Sequence, residues 1–300
     1  MEVFSYLRNF PSSVITIGNF DGLHLGHVKI LKMSRDKALA RRVPLVVITF
    51  WPHPVEVVKG EAWLLQTLPQ RLRSLGQFAS ATLVLPFNEF RNMSALDFLS
   101  VMRKELNPMA VLVGEEFRFG RDRSGDASLL RKVSGEWGIE ALAIRKLEDA
   151  QGKISSSRIR KHLMKGEVER ANILLSEPYT VEGIRVRGEG RGKKLGFPTL
   201  NFKPENPIVP RGIFAGLLRF RGKTYPAAIY VGSKPTFRGK ERGIEAHLLE
   251  DSADVPEGAR AGIVFLKKIR DEKSFHDAVE LKEAISKDVK IVRDYFRRKN

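Results

Sequence analysis

The chain has 300 residues, which is long enough for two domains with separate hydrophobic cores. It contains 42% hydrophobic and 29% charged residues, no cysteine, no signal-peptide pattern and no apolar run near the roughly 20 residues of a membrane helix. These features exclude disulfides and thiolate metal sites, argue against a membrane span, and predict a cytoplasmic protein. The net charge of +17 favours anionic partners such as nucleotides, pyrophosphate or nucleic acid, without choosing among them.

The first motif is Ile17–His27 (IGNFDGLHLGH), which follows the apolar run Val14–Ile17 and opens an amphipathic segment. A strand, a glycine-containing turn and a helix start form a phosphate site, because free N–H groups of the first helical turn point at an anion. His24 and His27 share one face of that turn and can donate hydrogen bonds to phosphate oxygens, with Gly26 leaving room between them. The alternative is a strand–helix corner with two surface histidines.

Strands and helices alternate through the first half of the chain. Apolar runs predict strands at Val14–Ile17, Leu45–Phe50, Thr82–Leu85, Ala110–Val113 and Ile139–Ile144. Between them we expect helices over Leu68–Phe78 and from the capping box Ser94-Ala95-Leu96-Asp97 to about Leu106. This alternation predicts a doubly wound parallel sheet, in which ligands bind at the carboxyl ends of the strands.

Three segments follow predicted strands and should meet at that edge: Gly18–His27, Pro52–Pro54 and Gly114–Gly120 (GEEFRFG). The prolines of the second segment should stop both strand and helix. In the third, Arg118 and Arg121 are able to neutralise phosphate, the alternative being a solvated turn.

Ile154–Arg160 (ISSSRIR) is a second candidate phosphate motif. Its three serine hydroxyls precede a helical segment, so they can cap free N–H groups and hydrogen-bond a phosphate, and Arg158 and Arg160 add positive charge. A helix cap followed by a basic surface is the alternative. The upstream H-x-G-H motif favours the phosphate role.

The sequence pattern changes after Leu175, where Ser176-Glu177-Pro178 ends the helical periodicity. Glycine-rich turns then separate predicted strands at Tyr179–Val186, Ile213–Phe220, Tyr225–Val231, Gly243–Leu249 and Ala261–Ile269. A long amphipathic helix over about Asp277–Arg298 closes the chain. We predict a compact antiparallel β-barrel with a C-terminal helix, and domains at residues 1–177 and 178–300.

The segment of the predicted barrel that carries candidate functional residues is Gly188–Asn201 (GEGRGKKLGFPTLN). Thr199 and Asn201 are two residues apart, so in an extended chain their side chains face the same side. Their oxygens are hard ligands that suit Mg²⁺ bridging ATP phosphates. Glu245 alternates with apolar residues in GIEAHLL, so its carboxylate points off the apolar face; a solvated edge residue is the alternative.

Together these motifs closely resemble those of the prokaryotic bifunctional riboflavin kinase/FMN adenylyltransferases, also called FAD synthetases. Seven occur in the family's order over nearly the whole chain: IGNFDGLHLGH, TFWPHP, VGEEFRFG, ISSSRIR, RGKKLGFPTLN, VGSKPTF and RDEKSF. The resemblance implies an N-terminal Rossmann-like nucleotidylyltransferase domain and a C-terminal six-stranded riboflavin kinase barrel. It also implies that ATP, riboflavin and FMN are substrates and that Mg²⁺ is the metal.

The resemblance also implies site residues by motif. In the first domain the nucleotide-binding residues would be Gly18, Phe20, Asp21, His24, Gly26, His27, Ser155, Ser156 and Arg160. The two histidines among them would hold the ATP phosphates as catalytic residues. In the second domain, Thr199 and Asn201 fall on the metal and nucleotide motif, and Glu245 falls on the catalytic base.

Three positions depart from the family pattern. Glu116 occupies a position where Asn or Asp is usual, which puts its contact with FMN or nucleotide in question. Ser157 replaces a usual Thr and keeps the hydroxyl. Asp251–Arg260 (DSADVPEGAR) replaces the usual hairpin sequence after the Glu245 strand.

Two other functions are compatible with parts of the sequence. One is an RNA-binding protein related to class I aminoacyl-tRNA synthetases, which also use an H-x-G-H signature, but a Lys-Met-Ser-Lys-Ser-like loop is missing and the barrel motifs would stay unexplained. The other is an adenylyltransferase for another phosphorylated substrate with a degenerate second domain. The hypothesis of a flavin enzyme predicts small-molecule substrates, no nucleic acid or membrane partner, and a monomer or weak oligomer.

Overall fold

The computed structural model describes residues 1–60, 63–236, 239–249 and 253–298. Two predictions fall partly on other positions: Phe237 of the VGSKPTF motif, and Asp251 and Ser252 at the start of the replaced hairpin sequence, lie outside the described residues. None of the helices in the described ranges has the length and apolar character needed to cross a membrane.

The chain divides into two compact units: Met1–Ala62 with Leu68–Ser155, and Trp63–Thr67 with Ser156–Asn300. The short segment Trp63–Thr67 joins the second unit through its backbone carbonyls, since Arg160 Nε donates to Trp63 O at 2.7 Å and Asn206 Nδ2 donates to Leu65 O at 3.1 Å. The predicted limits 1–177 and 178–300 concern the functional domains and stay a prediction.

The first unit contains a parallel sheet surrounded by helices. Its strands are β1 (Glu2–Phe4), β2 (Ser13–Ile17), β3 (Leu45–Trp51), β4 (Ala81–Pro86), β5 (Pro108–Gly114), β6 (Arg118–Phe119), β7 (Gly125–Asp126), β8 (Glu140–Ile144), β9 (Glu148–Asp149) and β10 (Gly152–Lys153). Its helices are α1 (Leu25–Arg41), α2 (Pro54–Lys59), α3 (Leu68–Leu75), α4 (Phe87–Phe90), α5 (Ala95–Leu106) and α6 (Ala127–Glu136), with a 3₁₀ turn at Arg121–Arg123.

The six-stranded sheet has the order β1-β4-β3-β2-β5-β8 with every neighbouring pair parallel. This confirms the predicted doubly wound sheet and its five strands; the sequence missed β1, a short and largely exposed edge strand. The central strands are apolar almost throughout because both faces are covered. Ile15 packs in the core on one face and Val14 in the core on the other. Each fully buried side chain of this kind stabilises the fold by about 1.5–3 kcal/mol.

The prolines after β3 act differently from the prediction. They stop the strand, but Pro54 begins the short helix α2 rather than stopping a helix. Proline suits this position because the N–H it lacks would have no partner inside the helix. His53 caps α2, since its Nδ1 accepts the N–H of Val55 at 3.1 Å while Glu56 accepts the N–H of His53 at 3.0 Å.

The second unit contains two helices followed by a barrel. Its helices are α7 (Ser156–Met164), α8 (Val168–Leu174), α9 (Arg191–Lys194) and α10 (Ala278–Arg297). Its strands are β11 (Thr180–Val186), β12 (Leu200–Pro204), β13 (Gly212–Phe220), β14 (Lys223–Thr236), β15 (Gly239–Leu248) and β16 (Arg260–Arg270).

The barrel is closed and antiparallel in the order β11-β12-β15-β14-β13-β16. Phe214 and Phe265 meet edge to face in its interior with ring centroids 5.1 Å apart. The architecture confirms the predicted barrel and C-terminal helix. Pattern reading missed β12 as a strand because the segment is short, although the family resemblance implied six strands.

Helix α10 covers the outside of the barrel. Val289 and Val292 pack against Ala215 and Ala228, whose small side chains let the helix approach the strands. Asp277 caps the start of this helix, and its Oδ1 accepts N–H groups of the first turn at 2.8 and 2.9 Å.

Two candidate active sites

The turn between β2 and α1 brings His24 and His27 together as predicted. His24 is the residue that caps α1, and its Nδ1 accepts the N–H of His27 at 3.2 Å. The two imidazole rings stack with centroids 3.6 Å apart and an interplanar angle of 17°. A Cβ at Gly26 would lie 3.1 Å from the His24 ring, so glycine gives the ring its room. The start of α1 therefore presents free N–H groups and two imidazoles on one surface.

Hydrogen bonds distinguish the two rings. Because His24 Nδ1 accepts a hydrogen bond, its neutral ring carries the proton on Nε2. His27 Nδ1 lies 3.3 Å from the carbonyl of Gly22, which can only accept, so His27 carries its proton on Nδ1. A neutral His24 can donate to a phosphate through Nε2. His27 presents a lone pair at Nε2 until it takes up a second proton.

Burial also keeps both rings neutral near pH 7. It lowers the pKa of His24 to about 4, with the positive charge of Lys146 as the next cause. Burial and then the neighbouring His24 hold the pKa of His27 well below its usual value. Anionic phosphate would raise both pKa values, because an adjacent negative charge favours imidazolium.

The remaining predicted residues of this turn form its floor. Phe20 has a left-handed backbone (φ 49°), and its buried ring meets His27 edge to face with centroids 5.3 Å apart. A Cβ at Gly18 would approach the Phe20 ring to 3.0 Å. Asp21 is 2% exposed and its charge acts on the pKa of His24. These three residues thus set the shape of the turn.

Arg71 on α3 is a site residue that the sequence analysis missed. It is fully buried, and its Nη1 donates to Thr49 Oγ1 at 3.4 Å; Thr49 in turn donates to the carbonyl of Asn19 at 3.2 Å. Within the part of the chain that the structure describes, its Nε and Nη2 have no hydrogen-bond partner. Burial lowers the pKa of Arg71, and Asp21 opposes that shift. The sequence did contain an indication that Arg71 is buried. It lies three residues after Leu68 and four before Leu75, which places it on the apolar face of α3.

The GEEFRFG loop follows β5 at the same edge of the sheet, as predicted. The carboxylate of Glu116 accepts hydrogen bonds from Lys146 and, at 2.9 Å, from Lys153. The bond from Lys146 is the main reason that the pKa of Glu116 falls to about 2. Arg118, which is able to neutralise phosphate, pairs with Asp126 in the β6–β7 hairpin at 2.9 Å, and its phosphate contact stays a prediction.

The serine motif stands at a helix start, as expected. Ser156 is the first residue of α7, and Ser155 precedes it directly. Arg160 lies one turn further on, where its Nε donates to a backbone carbonyl. The phosphate contacts of Ser155, Ser156 and Arg160 stay a prediction.

The barrel brings Thr199, Asn201 and Glu245 together. Thr199 Oγ1 donates to Glu245 Oε2 at 3.2 Å, and Asn201 pairs directly with Glu245 across β12 and β15. Ile244 and Ala246 fill the barrel interior, so Glu245 projects from the outer face. A Cβ at Gly188 would lie 2.2 Å from the amide of Asn201, so glycine leaves space for that side chain.

Tyr230 extends this row and was not predicted. It pairs with Glu245 across β14 and β15, and its hydroxyl donates to Glu272 Oε1 at 2.5 Å. Burial, followed by that bond, raises the pKa of Tyr230. The alternation of side chains along the strand could have identified it. Tyr230 lies between the buried Ile229 and Val231, so its side chain must face outward.

The barrel donors suit a hard cation held partly by phosphates. In the described ranges, no group of three or more histidine, cysteine, aspartate and glutamate side chains converges as a metal cage. Mg²⁺ often takes only one or two protein ligands and completes its shell with water and substrate phosphates. The hydroxyl of Thr199 and the amide oxygen of Asn201, next to the carboxylate of Glu245, fit such a site.

Comparisons with known proteins find matches to both halves of the chain. Family models for FAD synthetase and riboflavin kinase match residues 8–158 and 175–296. The bifunctional riboflavin kinase/FMN adenylyltransferase of Bacillus subtilis is 34% identical over 295 residues, covering 95% of this chain and 92% of its own. The Escherichia coli K12 protein of that name is 33% identical over 291 residues, covering 94% and 92%. A crystal structure from Streptococcus pneumoniae, described as a macrolide-efflux protein, aligns with a TM-score of 0.87 and 27% identity over 95% of both chains.

Proposed function

The chain belongs to the bifunctional riboflavin kinase/FMN adenylyltransferase family, and on that premise we propose which residues carry each activity. It phosphorylates riboflavin to FMN with ATP, and it adenylylates FMN to FAD with release of pyrophosphate. We assign phosphoryl transfer to Glu245 and its neighbours, and adenylyl transfer to the His24–His27 turn. The observation that carries this assignment is that the candidate residues meet within each unit: Thr199 donates a hydrogen bond to Glu245, and the rings of His24 and His27 stack.

In the barrel, Glu245 accepts the proton of the ribityl 5′-hydroxyl as that oxygen attacks the γ-phosphorus of ATP and ADP leaves. A primary hydroxyl is a poor nucleophile, and a positioned general base contributes typically ~10²–10⁴-fold. The hydrogen bond from Thr199 orients the carboxylate. When bound, a divalent cation such as Mg²⁺ neutralises charge on the ATP phosphates, and Thr199 and Asn201 would hold it.

In the first unit, the FMN phosphate attacks the α-phosphorus of ATP and pyrophosphate leaves. This nucleophile is already ionised, so the site has to position two anions and stabilise the charge that moves to pyrophosphate. His24 donates Nε2–H as a neutral ring, and His27 donates once a phosphate has raised its pKa. Ser155, Ser156 and Arg160 are proposed as phosphate-binding residues on the strength of their motif alone.

We propose ATP, riboflavin and FMN as the substrates, no nucleic-acid or membrane partner, a cytoplasmic location, and a monomer or weak oligomer. The net charge of +17 suits polyphosphate substrates as well as it suits nucleic acid. Chain mass in solution and RNA binding at physiological salt test these points. Tight, salt-resistant RNA binding would contradict the proposal.

A single substitution tests the assignment of two separate sites. The protein is incubated with riboflavin, ATP and Mg²⁺, and the flavins are separated by chromatography. His27→Ala should abolish FAD while FMN accumulates at nearly the wild-type rate, so kinase activity reports that the chain is folded. Loss of both products in a folded variant would show that the activities share a site.

A further inference from the structure

A cluster of three charged residues borders the adenylyl-transfer site. We name it the lysine cluster, and it consists of Glu116, Lys146 and Lys153. Glu116 follows β5 and Lys146 follows β8, so both stand at the carboxyl edge of the sheet where ligands of this fold bind. Because β5 lies directly between β2 and β8, the cluster neighbours the turn that carries the histidines.

Two hydrogen bonds hold the backbone around Lys146, one from α1 and one to the loop after β5. Lys29, two residues beyond His27 on α1, donates from Nζ to the carbonyl of Arg145 at 3.2 Å. The N–H of Lys146 donates to Glu115 Oε1 at 3.0 Å. The ammonium of Lys146 is also near enough to be the second cause of the low pKa of His24.

The ion pairs of the cluster are easily exchanged. The side chains of Glu116 and Lys153 are about half exposed and that of Lys146 is 30% exposed, and exposed ion pairs contribute little to stability. Glu116 has two lysine partners, so Lys153 can still neutralise it when Lys146 turns to another anion. A phosphate carries more charge than a carboxylate and accepts charge-assisted hydrogen bonds strongly.

We propose that Lys146 is a further phosphate-binding residue of the adenylyl-transfer site, and that Glu116 is a positioning residue that holds its ammonium beside His24. This rests on the proposed assignment of adenylyl transfer to the His24–His27 turn. The ligand is a phosphate group of either substrate, the ATP polyphosphate or the FMN monoester, since both offer the same oxygens.

Lys146→Met is the test, and Lys37→Met is the matched control. Lys37 makes a comparable ion pair with Glu140, which also has a second basic partner, but at the opposite end of β8. With FAD formation measured, Lys146→Met should raise KM by about tenfold for the substrate whose phosphate it binds, and Lys37→Met should leave both KM values unchanged. Varying ATP at saturating FMN, and then the reverse, identifies that substrate. Lys146→Arg, which keeps the positive charge, should have a KM close to that of the wild type.

A spectroscopic readout separates phosphate binding from a structural role. The pKa of the His24 imidazole, followed by NMR and assigned with His24→Asn, should rise in Lys146→Met and stay unchanged in Lys37→Met. Glu116→Gln should raise the same KM by about threefold, because Lys146 is then no longer held in place.

The outcomes distinguish the inference from its premise. If both KM values are unchanged in Lys146→Met while His24→Asn loses FAD formation, the site assignment stands and the role of Lys146 is wrong. If His24→Asn forms FAD normally, the assignment of the site fails and the inference falls with it.

Discussion

In the proposed assignment, the two sites handle the same substrate, ATP, with different chemical groups. The first is built from helix N–H groups and imidazoles that burial keeps neutral, around His24 and His27. The second is built around a strand carboxylate, Glu245, that receives a hydrogen bond from Thr199. The difference follows from the nucleophile: a phosphate arrives ionised and needs only hydrogen bonds and position, whereas a hydroxyl has to lose a proton.

The secondary-structure elements that carry the two sites also differ. The histidines stand where a parallel strand ends and a helix begins, where unpaired N–H groups are inherent in the backbone. Glu245 stands within a closed barrel whose neighbouring strands supply the other donors by direct cross-strand pairing. One site uses the end of an element, and the other uses a row of paired side chains.

Removing the base should have the largest effect. Glu245→Gln keeps the size and most hydrogen bonds but cannot accept a proton, so the kinase rate should fall by roughly 10²–10⁴-fold with little change in ATP affinity. Adenylylation of supplied FMN should be unaffected. Initial rates at saturating riboflavin and ATP measure the effect.

Glu205→Gln is the control for this prediction, because Glu205 is a carboxylate of the same unit that pairs with Arg260 at 2.7 Å. It should leave the kinase rate within twofold. A near-normal rate in Glu245→Gln would reduce Glu245 to a surface strand residue and remove the contrast between the two sites.

The neutral histidines predict acid sensitivity of the first unit. Above about pH 6.5 His24 is neutral in both the folded and the unfolded chain; as the pH falls from about 6.5 to about 4, the unfolded chain binds a proton that the folded chain does not. The free energy of unfolding should therefore fall over that window, by up to about 3 kcal/mol from His24, and not further below it.

His24→Asn tests this pH dependence, since asparagine keeps a capping acceptor but does not titrate. Hydrogen exchange of β2 and α1 amides measures stability locally. The variant should lose less protection between pH 6.5 and 4 than the wild type. Equal losses would mean that His24 is not held neutral by the fold.

Much of this architecture was readable from the sequence because local pattern and global fold agree. The apolar runs of the parallel strands and the helix starts at Ser94 and Asp277 depend on nearby residues, and each was found. The pairing of His24 with His27 depends on three residues of spacing and was also found. Thr199 and Glu245 were each singled out, but nothing in the spacing of residues 46 positions apart showed that they touch.

The residues that were missed depend on long-range placement. Arginine is usually a surface residue, and although Arg71 lies on the apolar face of α3, its place beneath the histidine turn follows from how that helix packs. Lys146 has no motif around it, and its place beside His24 follows from the order of strands in the sheet. Strand β1 pairs with β4, almost 80 residues later, and its own pattern is too short to predict it.

Tyr230 offers a smaller test on the barrel side. Tyr230→Phe removes the hydroxyl that bonds Glu272 while keeping the ring, so Glu272 loses a partner next to Glu245. We expect the kinase rate to fall by about tenfold or less, as for loss of one hydrogen bond to a charged group. FAD formation from supplied FMN should not change. A drop in both activities would point to unfolding and would show in the circular dichroism spectrum.

Arg71 provides the last and smallest test, on the histidine side. Its guanidinium is buried with two nitrogens that have no hydrogen-bond partner among the described residues, so its burial costs free energy. Arg71→Met removes that cost and keeps the apolar volume, but it also takes a positive charge away from the buried carboxylate of Asp21. These effects oppose each other, so the free energy of unfolding should change little. The variant also loses a positive charge beneath an anion site. The KM for ATP in FAD formation should therefore increase by about fivefold, which corresponds to roughly 1 kcal/mol of Coulombic attraction through partly screened protein. Chemical denaturation measures the stability of the variant, and initial rates measure its KM for ATP. A destabilised variant with unchanged KM would make Arg71 a structural residue. A variant of unchanged stability with a raised KM would assign its charge to phosphate binding.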